Sequence, residues 1–251
     1  MKRMLDAFYS KDWEVRSNAF YHLLKLASGD ADIGVNVSAD LASLLHVSGE
    51  ADRIRRALNS LLLEEDLYAK KQDRLSEGYL DYYGDLVWAV SSLHDPESLD
   101  SLLGAITTGD MAMSAIAGLG SPAIRRTLEL LDMNDVFVRE SATGVLSEMV
   151  ELKNTQQEMF GVHDQGEIKQ GLLKAAADVS PYVRIVAVDG LVQLGDEDCI
   201  RVLYELSNND PAEASEIGRE VGYYPVREAA KDALLRLSHG AHGEGKHQKN
   251  N

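Results

Sequence analysis

The chain has 251 residues, 45% of them hydrophobic and 26% charged, the balance of a packed protein and not of a disordered one. Its 25 basic residues stand against 41 acidic ones, a net charge of −16 that repels nucleic-acid phosphates and anionic membranes at long range and favours basic partners. One cysteine, Cys199, excludes a disulfide framework and any multi-cysteine zinc site, and no run of about 18 apolar residues is present to cross a membrane, so the expectation is a soluble, cytoplasmic protein.

The first strong element starts at Val15-Arg16. Taking Val15 as zero, Ala19, Leu23 and Leu26 follow at offsets 4, 8 and 11. Those offsets share one face of a helix with about 3.6 residues per turn. Asp12 is placed to cap this helix and to pair with Arg16 at i,i+4.

Residues 38–82 read differently. Ser38 caps a short helix to Val47, Ser48-Gly49 turns the chain, and a second helix spans Glu50 to Leu63. Strand-like pieces at 67–71 and 78–80 complete the outline of a winged helix-turn-helix. In that reading Arg53, Arg55 and Arg56 on the second helix, with Lys70 and Lys71 in the wing, are the candidate nucleic-acid-binding residues. The preferred reading is an irregular helical repeat, because Ile54, Leu58, Leu61 and Leu62 also form a helical stripe. Next comes the densest aromatic patch: Tyr79, Tyr82, Tyr83 and Trp88. Core packing explains such a patch, but Tyr and Trp also favour interfaces, so these four are candidate partner-binding residues together with Tyr223 and Tyr224.

The opening template then returns. Val138-Arg139, Val183-Arg184 and Val226-Arg227 are each followed by Ala at offset 4 and Leu at offset 8, with Met149, Leu194 and Leu237 at offset 11. Weaker copies start near residues 54, 82 and 108. Recurring elbows, Leu93-His94-Asp95, Leu119-Gly120-Ser121 and Leu194-Gly195-Asp196, stop one helix and cap the next. Ser121, Ser180 and Asp210, each followed by Pro, are expected N-caps, and Asp210 with Glu213 fits a capping box. Polar inserts at 153–166 and 211–224 interrupt the period, and a Gly- and His-rich tail at 239–251 is expected to be disordered.

The run Ser180-Pro-Tyr-Val-Arg-Ile-Val-Ala-Val-Asp-Gly-Leu-Val-Gln-Leu-Gly-Asp196 resembles the HEAT-like repeat of the phycobilin-lyase type. The resemblance covers about two thirds of the chain and fails at 30–80. It implies an all-α fold, a right-handed α-α superhelix of about six helix pairs over residues 1–238, whose second helices line a concave surface. It also implies a structural arginine in each first helix: Arg16, Arg139, Arg184 and Arg227. Two enzymes of that superfamily are tested by residue type. Deoxyhypusine hydroxylase holds iron with His-Glu pairs, where this chain carries Arg139-Glu140 and Arg227-Glu228, and arginine cannot ligate a metal. The HEAT-like DNA glycosylases are basic, and this chain is acidic.

No histidine pair has metal-binding spacing on an expected helix, and no phosphate loop or nucleophile motif occurs. No catalytic, cofactor-binding or metal-binding residue is therefore assigned. The expectation is a non-catalytic protein-interaction scaffold whose partner carries a basic segment. A nucleic-acid-linked regulator using 38–82 and a bilin-lyase-like enzyme or chromophore chaperone are the alternatives.

Overall fold

The computed structural model describes residues 2–28, 45, 51–72, 74–213 and 224–243. Among these the fold is all-α, with no strand. The chain divides into two compact units, Met1–Leu119 and Gly120–Asn251. None of the described helices is long and apolar enough to cross a membrane.

The first unit contains α1 (Lys2–Ala7), α2 (Trp13–Ser28), α3 (Ala51–Ala69), α4 (Glu77–Ser91), α5 (Leu99–Gly104) and α6 (Asp110–Ala117). Helix α4 packs against α2, α3, α5 and α6. It buries Tyr79, Tyr82, Tyr83, Leu86, Val87 and Val90, because those positions fall on one helical stripe. Ile54, Leu58, Leu61 and Leu62 of α3 are buried as their period requires.

The second unit contains α7 (Ser121–Leu130), α8 (Val136–Thr155), α9 (Asp164–Ala175), α10 (Pro181–Leu194), α11 (Glu197–Asn209) and α12 (Pro225–Gly243). The first helices of the repeats stack side by side, α8 on α10 and α10 on α12, while the second helices α7 and α9 also touch. The template explains the stacking. Ala142, Ala187 and Ala230 are wholly buried, and so are Leu146 and Leu191 one turn further on. Small residues at offset 4 let neighbouring helices approach, and the leucines fill the layer behind them. Glycine serves the same end at Gly190, where a Cβ would lie 2.7 Å from Leu172 and from Ser147.

All three elbows use a positive φ: 48° at His94, 66° at Gly120 and 59° at Gly195. Gly120, with ψ −139°, stands at the N-cap of α7, whereas Gly195, with ψ 12°, is the left-handed turn that ends α10. His94 takes its positive φ without being glycine, at a cost of about 1 kcal/mol. Asp95 and Asp196 then cap the next helix through the N–H groups of Glu97 and Cys199.

Several expectations are corrected. Val15 and Leu26 are 42% and 49% exposed, because α2 turns Phe20 and Leu24 inward instead. Asp12 and Asp135 cap Glu14 and Phe137 and do not pair with the arginine four residues on. Ser180 stands at the N-cap of α10 but makes no side-chain cap, and its own N–H donates to Asp178. Ser121 is the first residue of α7, not its cap. Its hydroxyl bonds Asp164 and the Met159 carbonyl, pinning the connection after α8. The insert at 153–166 is partly absorbed into helix: α8 runs to Thr155, Gln157–Met159 makes a 3-10 turn and α9 begins at Asp164. No helix starts at 211–213, and Asp210 accepts from the N–H of Ala212. Helix α12 continues to Gly243, into the stretch expected to be tail. The short helix expected at 38–47 and Tyr223 lie outside the described residues, apart from Leu45.

Candidate functional site

The template arginines are structural, and their wiring follows one rule. The Arg139 guanidinium donates to both carboxylate oxygens of Asp178 at 2.8 and 3.0 Å. The main-chain carbonyl of that same Asp178 accepts from Arg184 at 2.7 Å. Arg184 in turn donates to both carboxylate oxygens of Asp210 at 2.6 and 2.9 Å. The carbonyl of Asp210 accepts from Arg227 at 2.6 Å. Each aspartate thus takes one arginine on its side chain and the next arginine on its backbone. Charge-assisted bidentate pairs of this kind fix register between repeats. Arg227 also lies over the Tyr224 ring, 4.0 Å from its centroid.

In the first unit Arg16 bridges from α2 to Glu65 on α3, with contacts of 2.5 and 2.8 Å. Glu65 is fully buried, and its remaining acceptor capacity is taken by the hydroxyls of Tyr79 and Tyr82 at 3.0 and 2.9 Å. Burial first, and then the Glu65 charge, push both phenols well above the ordinary tyrosine range.

This network relocates the aromatic candidates. Tyr79, Tyr82 and Tyr83 are 1%, 0% and 6% exposed. They belong to the core, not to a partner surface. Trp88 is half-buried and lines a cleft of about 330 Å³ between α4 and α6, with Met111 and His94. Tyr224 is half-buried beneath Arg227.

The winged-helix outline does not survive either. Residues 67–69 finish α3, Lys70 and Lys71 form the turn after it, and 78–80 lie inside α4. The apolar stripe of α3 forces the helical period through the stretch that was to be a wing. Arg53, Arg55 and Arg56 do sit together on α3, but Arg55 is paired with Asp52 at 3.2 Å and approaches Asp95 at 3.8 Å, and Lys70 with Asp66 at 2.7 Å.

Open relief lies on the second-helix layer of the second unit. Lys169 of α9 clasps the start of α11 through Asp196 and Asp198 at 2.7 and 2.9 Å. Beyond that clasp the two helices part into a cleft of about 470 Å³. Leu173, Ala176 and Ala177 form one wall, Val202 and Leu206 the other, and the Arg184–Asp210 pair lies at its base. Glu205 and Asn209 stand on the α11 side, both exposed. On the other side of α9 a cleft of about 300 Å³ opens against α7, lined by Leu128, Leu131, Gln170 and Lys174. Cys199, at the start of α11, is buried, and burial raises its thiol to about 12, which removes it from thiolate chemistry. No group of three metal-ligating side chains occurs among the described residues.

No protein-family profile matches the chain, and no curated protein does. Among solved structures the chain is similar to a designed armadillo repeat protein in complex with the peptide (KR)4, at 16% identity and a TM-score of 0.44, with 94% of this chain and 98% of that one covered. A second designed armadillo repeat protein gives 17% identity and a TM-score of 0.41, over 94% and 98% of the two chains. Computationally designed armadillo repeat proteins for modular peptide recognition give 16% identity and a TM-score of 0.39, over 93% and 98%.

Proposed function

We propose that this chain is a non-catalytic scaffold of the HEAT-like kind, which binds a segment of a partner protein along the α7–α9–α11 face of its second unit. The observation that carries the reading is the pair of adjacent clefts sharing α9, both walled by aliphatic side chains with polar groups at their rims. Such relief suits an extended or helical segment that sets successive side chains into successive clefts. A partner with a basic segment fits best, because Asp178 is paired with Arg139 and Asp210 with Arg184, which leaves the exposed Glu205 carboxylate uncompensated at the α9–α11 cleft.

The test is site-specific photo-crosslinking in extract of the native host. A photoreactive residue at Gln170, on the wall of the α7–α9 cleft, should capture the partner, and one at exposed Leu235 of α12 should not. Capture should weaken steeply between low and moderate salt. Equal capture from both positions, or from neither, would remove the proposal.

A further inference from the structure

We infer that the α9–α11 cleft is the seat of an arginine side chain of the partner, with Glu205 as the residue that recognises it. This rests on the partner-face reading above and assigns one of its two clefts. The base of the cleft is already committed. Asp178 is held by Arg139 and Asp210 by Arg184, so neither carboxylate is available to a newcomer. With those pairs cancelled, Glu205 is the charge left over.

Glu205 and Asn209 stand one turn apart on α11, on the same face. Among the described residues neither side chain makes a hydrogen bond or ion pair. Together they offer carboxylate oxygens and an amide carbonyl at the mouth of a cleft whose walls, Leu173, Val202 and Leu206, are aliphatic. A side chain with an alkyl stem and a cationic head satisfies both parts at once, the stem on the walls and the head on the acceptors. Among cationic heads, the planar fork of a guanidinium can address two acceptors together, whereas an ammonium is compact and holds its water more tightly. A purely apolar occupant would desolvate Glu205 without compensation, and an acidic one would be repelled.

The probes are N-acetyl-arginine N-methylamide, its neutral isostere N-acetyl-citrulline N-methylamide, and the lysine analogue, each titrated into the full chain with methyl and amide NMR detection. The arginine compound should shift Leu173, Val202 and Leu206 in a saturable way, with the citrulline compound at least tenfold weaker and the lysine compound between them. Glu205→Gln should reduce the arginine response about tenfold while leaving the melting temperature unchanged, since Glu205 is exposed and holds nothing in the fold. Equal responses to arginine and citrulline, a lysine response as strong as arginine's, an unchanged response in Glu205→Gln, or no response up to about 50 mM would each overturn the assignment. The cross-linking from Gln170 is independent of these outcomes. Its persistence alongside a failed titration removes the arginine seat and keeps the partner face, and its failure removes the face itself.

Discussion

Replacing Asp210 by alanine strikes the aspartate–arginine chain at its most buried point. The Asp210 and Arg184 side chains are 2% and 9% exposed. The substitution leaves Nε and Nη2 of Arg184 without their acceptors, while Nη1 keeps the carbonyls of Asp178 and Val179. It also frees the N–H of Ala212, which Asp210 caps at 3.0 Å. An uncompensated buried charge costs about 3–5 kcal/mol, far more than the net worth of the intact pair. The control is Asp189→Ala, which breaks the Arg236–Asp189 contact at 3.2 Å between side chains 60% and 62% exposed. That pair is worth at most about 1 kcal/mol. Urea denaturation followed by circular dichroism should therefore show a large loss for Asp210→Ala and almost none for Asp189→Ala. The double variant Arg184→Met with Asp210→Leu should recover most of the loss, because it removes both charges together. A loss below about 1 kcal/mol for Asp210→Ala, or a double variant no better than the single, would refute the structural role given to the chain.

Ala142→Leu and Ala187→Leu should each cost about 1–3 kcal/mol in thermal denaturation, since both alanines are wholly buried where α8 and α10 stack. The phenols of Tyr21, Tyr79, Tyr82 and Tyr83 are all raised, chiefly by burial. In the unfolded chain they ionise near pH 10, so their stabilising contribution is complete below about pH 10 and lost as pH rises above it. Ultraviolet titration should show Tyr79, Tyr82 and Tyr83, the three that are buried, ionising only with the loss of helical signal, and their independent ionisation near pH 10 would contradict that burial. At the elbows, His94→Gly should be neutral or stabilising by up to about 1 kcal/mol, and Gly195→Ala destabilising by about 1–2, because both positions hold left-handed backbone. Denaturation midpoints moving in the opposite order would contradict that geometry.

The sequence made the repeat legible because its signals are local. A helical stripe, a small residue at offset 4 and a left-handed elbow all lie within one helix and its end. The arginine wiring was only half legible. Asp178 stands six residues before Arg184, the same distance at which Met133 precedes Arg139, so the aspartate that receives the next arginine on its backbone can be read from spacing. Asp210 stands 17 residues before Arg227, because the 211–224 insert separates them, and nothing local marks it. Glu65 lies 49 residues from Arg16 and was hidden for the same reason. The tyrosine patch supports two readings, core packing and a partner surface, and its density alone does not separate them. Its spacing, Tyr79, Tyr82, Tyr83 and Leu86, already had the helical period of a buried face. The α9–α11 cleft was illegible, since it depends on how far two second helices part beyond the Lys169 clasp.

The central claim is that partner binding belongs to the second-helix face and not to the arginine chain beneath it. The most direct measurement is the affinity of the cross-linked partner segment, as a synthetic peptide, for the wild type and for Ala177→Trp. Ala177 is exposed on the wall of the cleft, so an indole there fills the space without disturbing the core. The account predicts at least a tenfold loss of affinity, about 1.4 kcal/mol, with an unchanged melting temperature. Undiminished affinity in a folded Ala177→Trp would contradict it.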